Sequence, residues 1–326
     1  MSPFARPGAD VHPWVAAQSS RVRFGVAYGP RDDWAAARAF AQLVEGLGYD
    51  SYWVMDHPVT GFDCWTSLAV LATATERVRL GPLVNCVYYR SPALLARLAA
   101  DVDQLSGGRL VLGLGMGNHA KEFRRLGLAF PPPAVRLRAV AETVEVVAGL
   151  WGERPFTYQG EQFAVAGGLV RPGPVQRPRV PLLIAGGGER VTLRQVARYA
   201  DAANFSAHAW AGSAFGLDDV RRKLDALRRH CVDLGRPYDG VLRSQVAVPV
   251  VLAESDAGVA RKLAQLPAQV RASYATSTVA GTPERVRAHY RALVDAGLTY
   301  FVLGVYGADE ETVRLFAEHV APAMSG

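Results

Sequence analysis

Short apolar runs alternate with longer stretches in which apolar positions recur at helical period, and the alternation persists along the whole chain. Residues 22–28 predict a strand and 34–47 a helix that stops at Gly48. Strands over 51–55, 78–84 and 109–114, with helices over 64–75, 92–104 and 134–150, extend the series to four units. Residues 181–184 with 189–199, and 201–205 with 217–234, give the fifth and sixth. Residues 241–252 and the helical segments after them give the seventh, interrupted near 267–278, and 299–305 with 310–320 give the eighth. Eight consecutive βα units with no all-helical or all-β block predict the α/β class, as a closed parallel (β/α)8 or TIM barrel.

One stretch breaks the rhythm. Residues 152–179 carry Pro155, Pro172, Pro174 and Pro178, and the run from Phe156 to Phe163 predicts a hairpin around Gln159-Gly160. It is read as an insertion between units four and five, at about 152–180. Residues 1–20 then form an N-terminal extension and 21–326 a single barrel domain. An open, doubly wound sheet would place a glycine fingerprint after the first strand, but that strand ends in Tyr28-Gly29-Pro30-Arg31.

Composition narrows the function. Half of the 326 residues are apolar and a fifth are charged, with Lys+Arg 36 against Asp+Glu 30 and a net charge of +6. The basic residues are almost all arginines, dispersed without a tail or long run, so no nucleic-acid partner is expected. Arg221-Arg222-Lys223 and Arg228-Arg229 sit at helical spacing beside Leu224 and Leu227, as a solvated helix face would. Cys64, Cys86 and Cys231 lack the spacing of a disulfide framework or a zinc site. The first twenty residues lack a signal-peptide core, and apolar runs such as 246–253 are too short to cross a bilayer, so a cytoplasmic protein with no membrane partner is expected. No HExxH, Gly-x-Ser-x-Gly, Walker loop or carboxylate cluster appears, which disfavours a metal site and a serine hydrolase.

In a barrel the reacting groups lie at the C-terminal strand ends. Strand two ends in Asp56-His57, a carboxylate beside an imidazole, which suits proton transfer or, more simply, a cap and a loop histidine. Strand three carries Gly81 and Pro82 before Leu83, Val84, Asn85 and Cys86, a pattern that predicts a bulge pushing backbone into the mouth. Cys86 has apolar flanks and no adjoining base, so a packed thiol is the simpler reading than a nucleophile. Strand four ends in Gly113-Leu-Gly115-Met-Gly117-Asn118-His119, where alternate glycines let backbone approach a flat or anionic ligand and His119 is a candidate acid or base. Strand five ends in Ala185-Gly186-Gly187-Gly188 before a helix, a candidate phosphate site.

Together these segments resemble the luciferase-like monooxygenase superfamily, whose members bind FMN or the deazaflavin coenzyme F420. The resemblance rests on Trp53-Val-Met-Asp-His57, Arg77-Val-Arg-Leu-Gly81, Tyr89-Arg-Ser-Pro92, Asp103-Gln-Leu-Ser-Gly-Gly-Arg-Leu110, Gly113-Leu-Gly-Met-Gly117, Leu183-Ile-Ala-Gly-Gly-Gly188 and Gly281-Thr-Pro-Glu284, in family order. It implies a homodimeric barrel, a non-prolyl cis peptide within Leu83, Val84 and Asn85 behind the cofactor ring, and a phosphate held at Gly186, Gly187 and Gly188. Asp56-His57 is similar to the F420-dependent branch, which implies hydride transfer to or from a small-molecule substrate, with His57 handling the proton and Asp56 orienting it. Asn118 and Gly61 stand where the sugar-phosphate dehydrogenase of that branch has a glutamate and a tryptophan, against sugar-phosphate oxidation. The alternatives are an FMN-dependent monooxygenase, fed by a flavin reductase and using dioxygen, and a barrel that binds cofactor without catalysis.

Overall fold

The computed structural model describes residues 11–17, 21–206 and 216–324, and each of the eight units is present in them. The strands are β1 (Arg23–Ala27), β2 (Ser51–Val54), β3 (Arg79–Pro82), β4 (Asn85–Cys86), β5 (Leu112–Gly115), β6 (Phe156–Gln159), β7 (Ala164–Gly168), β8 (Leu182–Ala185), β9 (Ala202–Ser206), β10 (Leu242–Ala247), β11 (Val250–Leu252), β12 (Val279–Gly281) and β13 (Tyr300–Gly304). One parallel sheet runs β3-β2-β1-β13-β10-β9-β8-β5-β4. Because β3 and β4 are two halves of the predicted third strand, the order returns on itself, and a bridge between Leu80 and Leu110 joins the ends into a nearly closed barrel.

The helices are α1 (Pro13–Ala16), α2 (Trp34–Gly46), α3 (Cys64–Ala74), α4 (Pro92–Leu105), α5 (Ala120–Arg125), α6 (Pro133–Leu150), α7 (Thr192–Tyr199), α8 (Leu217–Asp233), α9 (Asp256–Gln265), α10 (Ala268–Ser273), α11 (Pro283–Asp295) and α12 (Glu310–Leu315). Their starts follow from capping chemistry: the side chains of Asp33, Asp63, Ser91, Ser255 and Asp309 accept amide hydrogen bonds in the first turns of α2, α3, α4, α9 and α12. Inward strand positions, among them Trp53, Val111, Leu183 and Val302, fill the barrel, while a second apolar layer seals strands against helices.

Between α6 and β8 the chain makes the antiparallel hairpin β6–β7. Glu142 of α6 holds its tip by accepting the amide hydrogens of Glu161, Gln162 and Phe163, each at 2.9 Å. Farther along, the buried Asp103 of α4 accepts the amides of Val175 and Gln176 at 2.7 and 3.0 Å. Three elements depart from expectation. The single strand predicted over 241–252 is broken at Pro249, which has no amide hydrogen to give a ladder, and β11 leaves the barrel to pair with β12. The short helix α5 was not foreseen, and α7 begins at Thr192 rather than at Glu189.

Asp201, at the foot of β9, is almost wholly buried. It accepts the Leu182 amide at 2.8 Å and pairs with Arg179 at 2.5 Å. Burial opposes its ionisation, but Arg179 outweighs that and holds the carboxyl below the usual range. A depressed folded pKa stabilises the fold above the unfolded pKa, and that contribution is lost as pH falls through the folded one. Asp201→Asn should therefore cost about 3 kcal/mol in urea unfolding at pH 7 and flatten the decline of stability in acid.

Candidate active site

At the C-terminal strand ends lies a cavity of about 420 Å3, walled by the ends of β2, β4, β5, β8, β9 and β10 and the segments after them. Its shape starts from a steric constraint. A Cβ on Gly113 would lie 2.2 Å from the Pro82 carbonyl oxygen, and one on Gly115 would lie 2.5 Å from Val84 Cγ2. The alternate glycines of β5 thus make room for the bulge between β3 and β4, whose Leu83–Val84 peptide is cis, within the span expected. Leu83, Val84 and Cys86 face the cavity. Asn85 does not: it is buried, accepting from the Trp65 indole at 2.9 Å and donating to the Cys86 carbonyl at 3.1 Å. Burial pushes the Cys86 thiol up to about 12, so it packs as a neutral thiol.

Asp56 supports the same bulge. Nearly inaccessible, it accepts the Cys86 amide at 3.1 Å and Arg90 Nη1 at 2.9 Å on both oxygens, while Arg90 Nη2 reaches Asp63 at 2.5 Å. Burial pushes its carboxyl up against the pull of Arg90. The role expected for Asp56, orienting the neighbouring imidazole, is filled by another residue. Adjacent residues leaving a strand point in different directions, and Asp56 turns to Arg90 while His57 turns to α5.

That residue is Glu122. His57 Nδ1 lies 2.8 Å from Glu122 Oε2, and the Tyr89 hydroxyl donates to the same oxygen at 3.0 Å. Burial works against ionisation of Glu122, yet the hydrogen bonds from His57 and Tyr89 hold its pKa below the ordinary value. A carboxylate only accepts, so the proton in this bond sits on Nδ1, and in a neutral imidazole that leaves the lone pair on Nε2. The His119 ring meets that of His57 edge-on, centroids 5.1 Å apart at 89°. Burial, with His57 beside it, lowers the His119 pKa against the opposing pull of Glu122.

Of the remaining expected residues, Gly115, Gly117, Asn118, Ala185 and Gly186 line the cavity, whereas Gly187 and Gly188 do not. Gly186, at φ +129°, occupies a backbone region that a side chain would disfavour. The Gly187 carbonyl accepts from Lys223 Nζ at 2.6 Å and that of Gly188 from the Leu193 amide at 3.0 Å. Tyr28, at φ +69°, shares a side-chain hydrogen bond with Tyr274, and both residues border the cavity, as do Met55, Met116 and Tyr89. None of these was foreseen. Among the described residues no lysine or arginine lines it.

A family model described as luciferase-like monooxygenase matches residues 16–275. The chain belongs to that family. Among family relatives, a 5,10-methylenetetrahydromethanopterin reductase of Archaeoglobus fulgidus is 31% identical over 172 residues, 52% of this chain and 49% of the reductase, so the chain spans about half of that relative's length. An F420-dependent glucose-6-phosphate dehydrogenase of Kineococcus radiotolerans is 28% identical over 87% of this chain and 91% of its own. Among solved structures, the coenzyme F420 dependent tetrahydromethanopterin reductase of Methanopyrus kandleri superposes with TM-score 0.79 at 20% identity, over 93% of this chain and 99% of that one. That likeness bears on the fold alone.

The cavity has room and an apolar side for a flat ring. Leu83 and Val84 offer an apolar wall, and Gly186 leaves a backbone edge uncovered. Two buried oxygens, Glu122 Oε1 and Ser206 Oγ, have no hydrogen-bond partner among the described residues, and Ser206, which lines the cavity, can bond to a ligand there. The His57–Glu122 bond makes its own prediction. In His57→Ala the carboxyl loses its chief stabilising donor while its burial remains, so Glu122 should titrate at higher pH than in the parent, read from its carboxyl carbon by NMR.

Proposed function

We propose that the chain is a coenzyme F420-dependent oxidoreductase that moves a hydride to or from a small, uncharged organic substrate, with His57 as the proton-transfer residue. The observation that carries this reading is the His57–Glu122–Tyr89 array at the barrel mouth. When bound, the deazaflavin supplies the carbon that takes or gives the hydride. The chain's own residues do the rest. Glu122 fixes the tautomer and orientation of His57, leaves Nε2 to accept or return the substrate proton, and stabilises the imidazolium that forms. Tyr89 holds the carboxylate in register. His119 packs edge-on against His57, and burial disfavours a second positive charge there. Leu83, Val84 and Cys86 would bear the ring, and Gly186 with Asn204 and Ser206 would meet polar atoms along its edge.

The relatives support F420, since a reductase and two dehydrogenases that use it stand among them. Monooxygenases are also structural neighbours, and a histidine can serve a flavin peroxide as well as a hydride acceptor. A proton-handling pair, with no lysine or arginine among the described residues that line the cavity, suits transfer to or from an alcohol, imine or activated alkene. A phosphorylated sugar would look for a cationic anchor, which the described lining does not offer.

His57→Ala should lower turnover by roughly 10² to 10⁴ with little change in cofactor affinity. Glu122→Gln, which keeps the shape but loses the charge, should lower kcat about 10- to 100-fold with KM nearly unchanged. Turnover with F420 should proceed at an undiminished rate without oxygen, and strict dependence on dioxygen with reduced FMN would reverse the cofactor assignment.

A further inference from the structure

The opposite end of the barrel carries a second concentration of charge. There β1 and β3 begin with Arg23 and Arg79, paired in register with Tyr300 and Ser51. A cavity of about 260 Å3 opens among Trp14, Arg21, Arg23, Asp50, Arg77 and Arg79. The strands separate it from the mouth by about 16 Å, at roughly 3.3 Å for each of five residues.

Four guanidinium groups and two carboxylates border this floor, and the carboxylates are already engaged. Asp50 pairs with Arg21 and accepts the Phe24 amide at 3.0 Å. Glu45 accepts the amides of Glu76, Arg77 and Val78. Arg23 and Arg79 have no carboxylate partner among the described residues. Arg23 is 1% exposed. Its Nη2 reaches the carbonyls of Trp14 and Val15 at 3.0 and 3.3 Å, and its Nε is buried without a partner. Arg79 donates to the Gln176 side chain at 3.2 Å. Both guanidinium groups lie against the Trp14 ring, 5.6 and 5.8 Å from its centroid. Burial lowers the Arg79 pKa to about 10, and Arg23 adds to that, so it stays charged at neutral pH. Asp50 and Asp103 offset Arg23 and Arg79 only without direct pairing, and four guanidinium groups against two carboxylates leave the described lining net positive, which favours an anion.

We propose that this floor cavity binds a small phosphate-type oxyanion, with the forks of Arg79, Arg77 and Arg21 as contacts and Arg23 as a fixed charge behind them. The anion would tie the segment carrying Trp14 to the feet of β1 and β3, and so stabilise the barrel independently of the mouth.

Thermal melting of the full chain without cofactor tests this, with sodium phosphate replacing sodium chloride at constant ionic strength. Phosphate should raise Tm along a saturating curve. Arg79→Gln should weaken the half-saturating concentration about fivefold or more, and Arg77→Gln, an exposed position that spares the fold, about twofold. If Arg79→Gln fails to fold, Arg77→Gln decides. An equal rise with chloride would overturn the proposal. So would an unchanged phosphate response in every variant that folds, which would put the phosphate at the mouth instead.

Discussion

The mouth of this barrel depends on one clearance: the backbone between Pro82 and Cys86 bulges inward, and β5 can lie beside it only because Gly113 and Gly115 have no side chains. Any Cβ there would sit 2.2 to 2.5 Å from Pro82 or Val84, well inside van der Waals contact. Once the bulge is seated, Asp56 and Arg90 fasten it from below through the Cys86 amide, and Leu83 and Val84 become a fixed apolar wall. The same turn out of β2 that buries Asp56 presents His57 to the cavity. Two neighbouring residues thus turn different ways, Asp56 to the bulge and His57 to Glu122.

The barrel itself was legible in the chain. Alternating apolar runs and helical periods marked all eight units because each strand is buried on both faces and each helix on one, and aspartate and serine caps fixed where helices start. Boundaries failed where a single backbone hydrogen bond decided them. Pro249 split a run that reads as one strand, and the glycine triplet after β8 is followed by a turn before α7 begins.

The site was legible in its location but not in its wiring. His57 was placed at the mouth from its strand end, but its hydrogen-bond partner is 65 residues away on a helix of six residues with no strong pattern, and Tyr89, which bonds the same carboxylate, lies 33 residues before it. Sequence proximity suggested Asp56 instead, because the direction in which successive side chains leave a strand end cannot be read from spacing. The glycines of β5 looked like ligand contacts, while the structure gives them first a packing reason. Tyr28, with its left-handed backbone, carried no composition signal at all.

The central claim is that the cavity beneath His57 is built for a deazaflavin. Titrating F420 into the purified chain and following cofactor fluorescence, with FMN as competitor, tests it most directly. The account predicts saturable F420 binding at micromolar concentration, weakened at least about tenfold when Gly115→Ala presses a methyl group against Val84 while the fold is retained. FMN should compete poorly. Tight binding of FMN with none of F420, or F420 binding indifferent to Gly115→Ala, would contradict it.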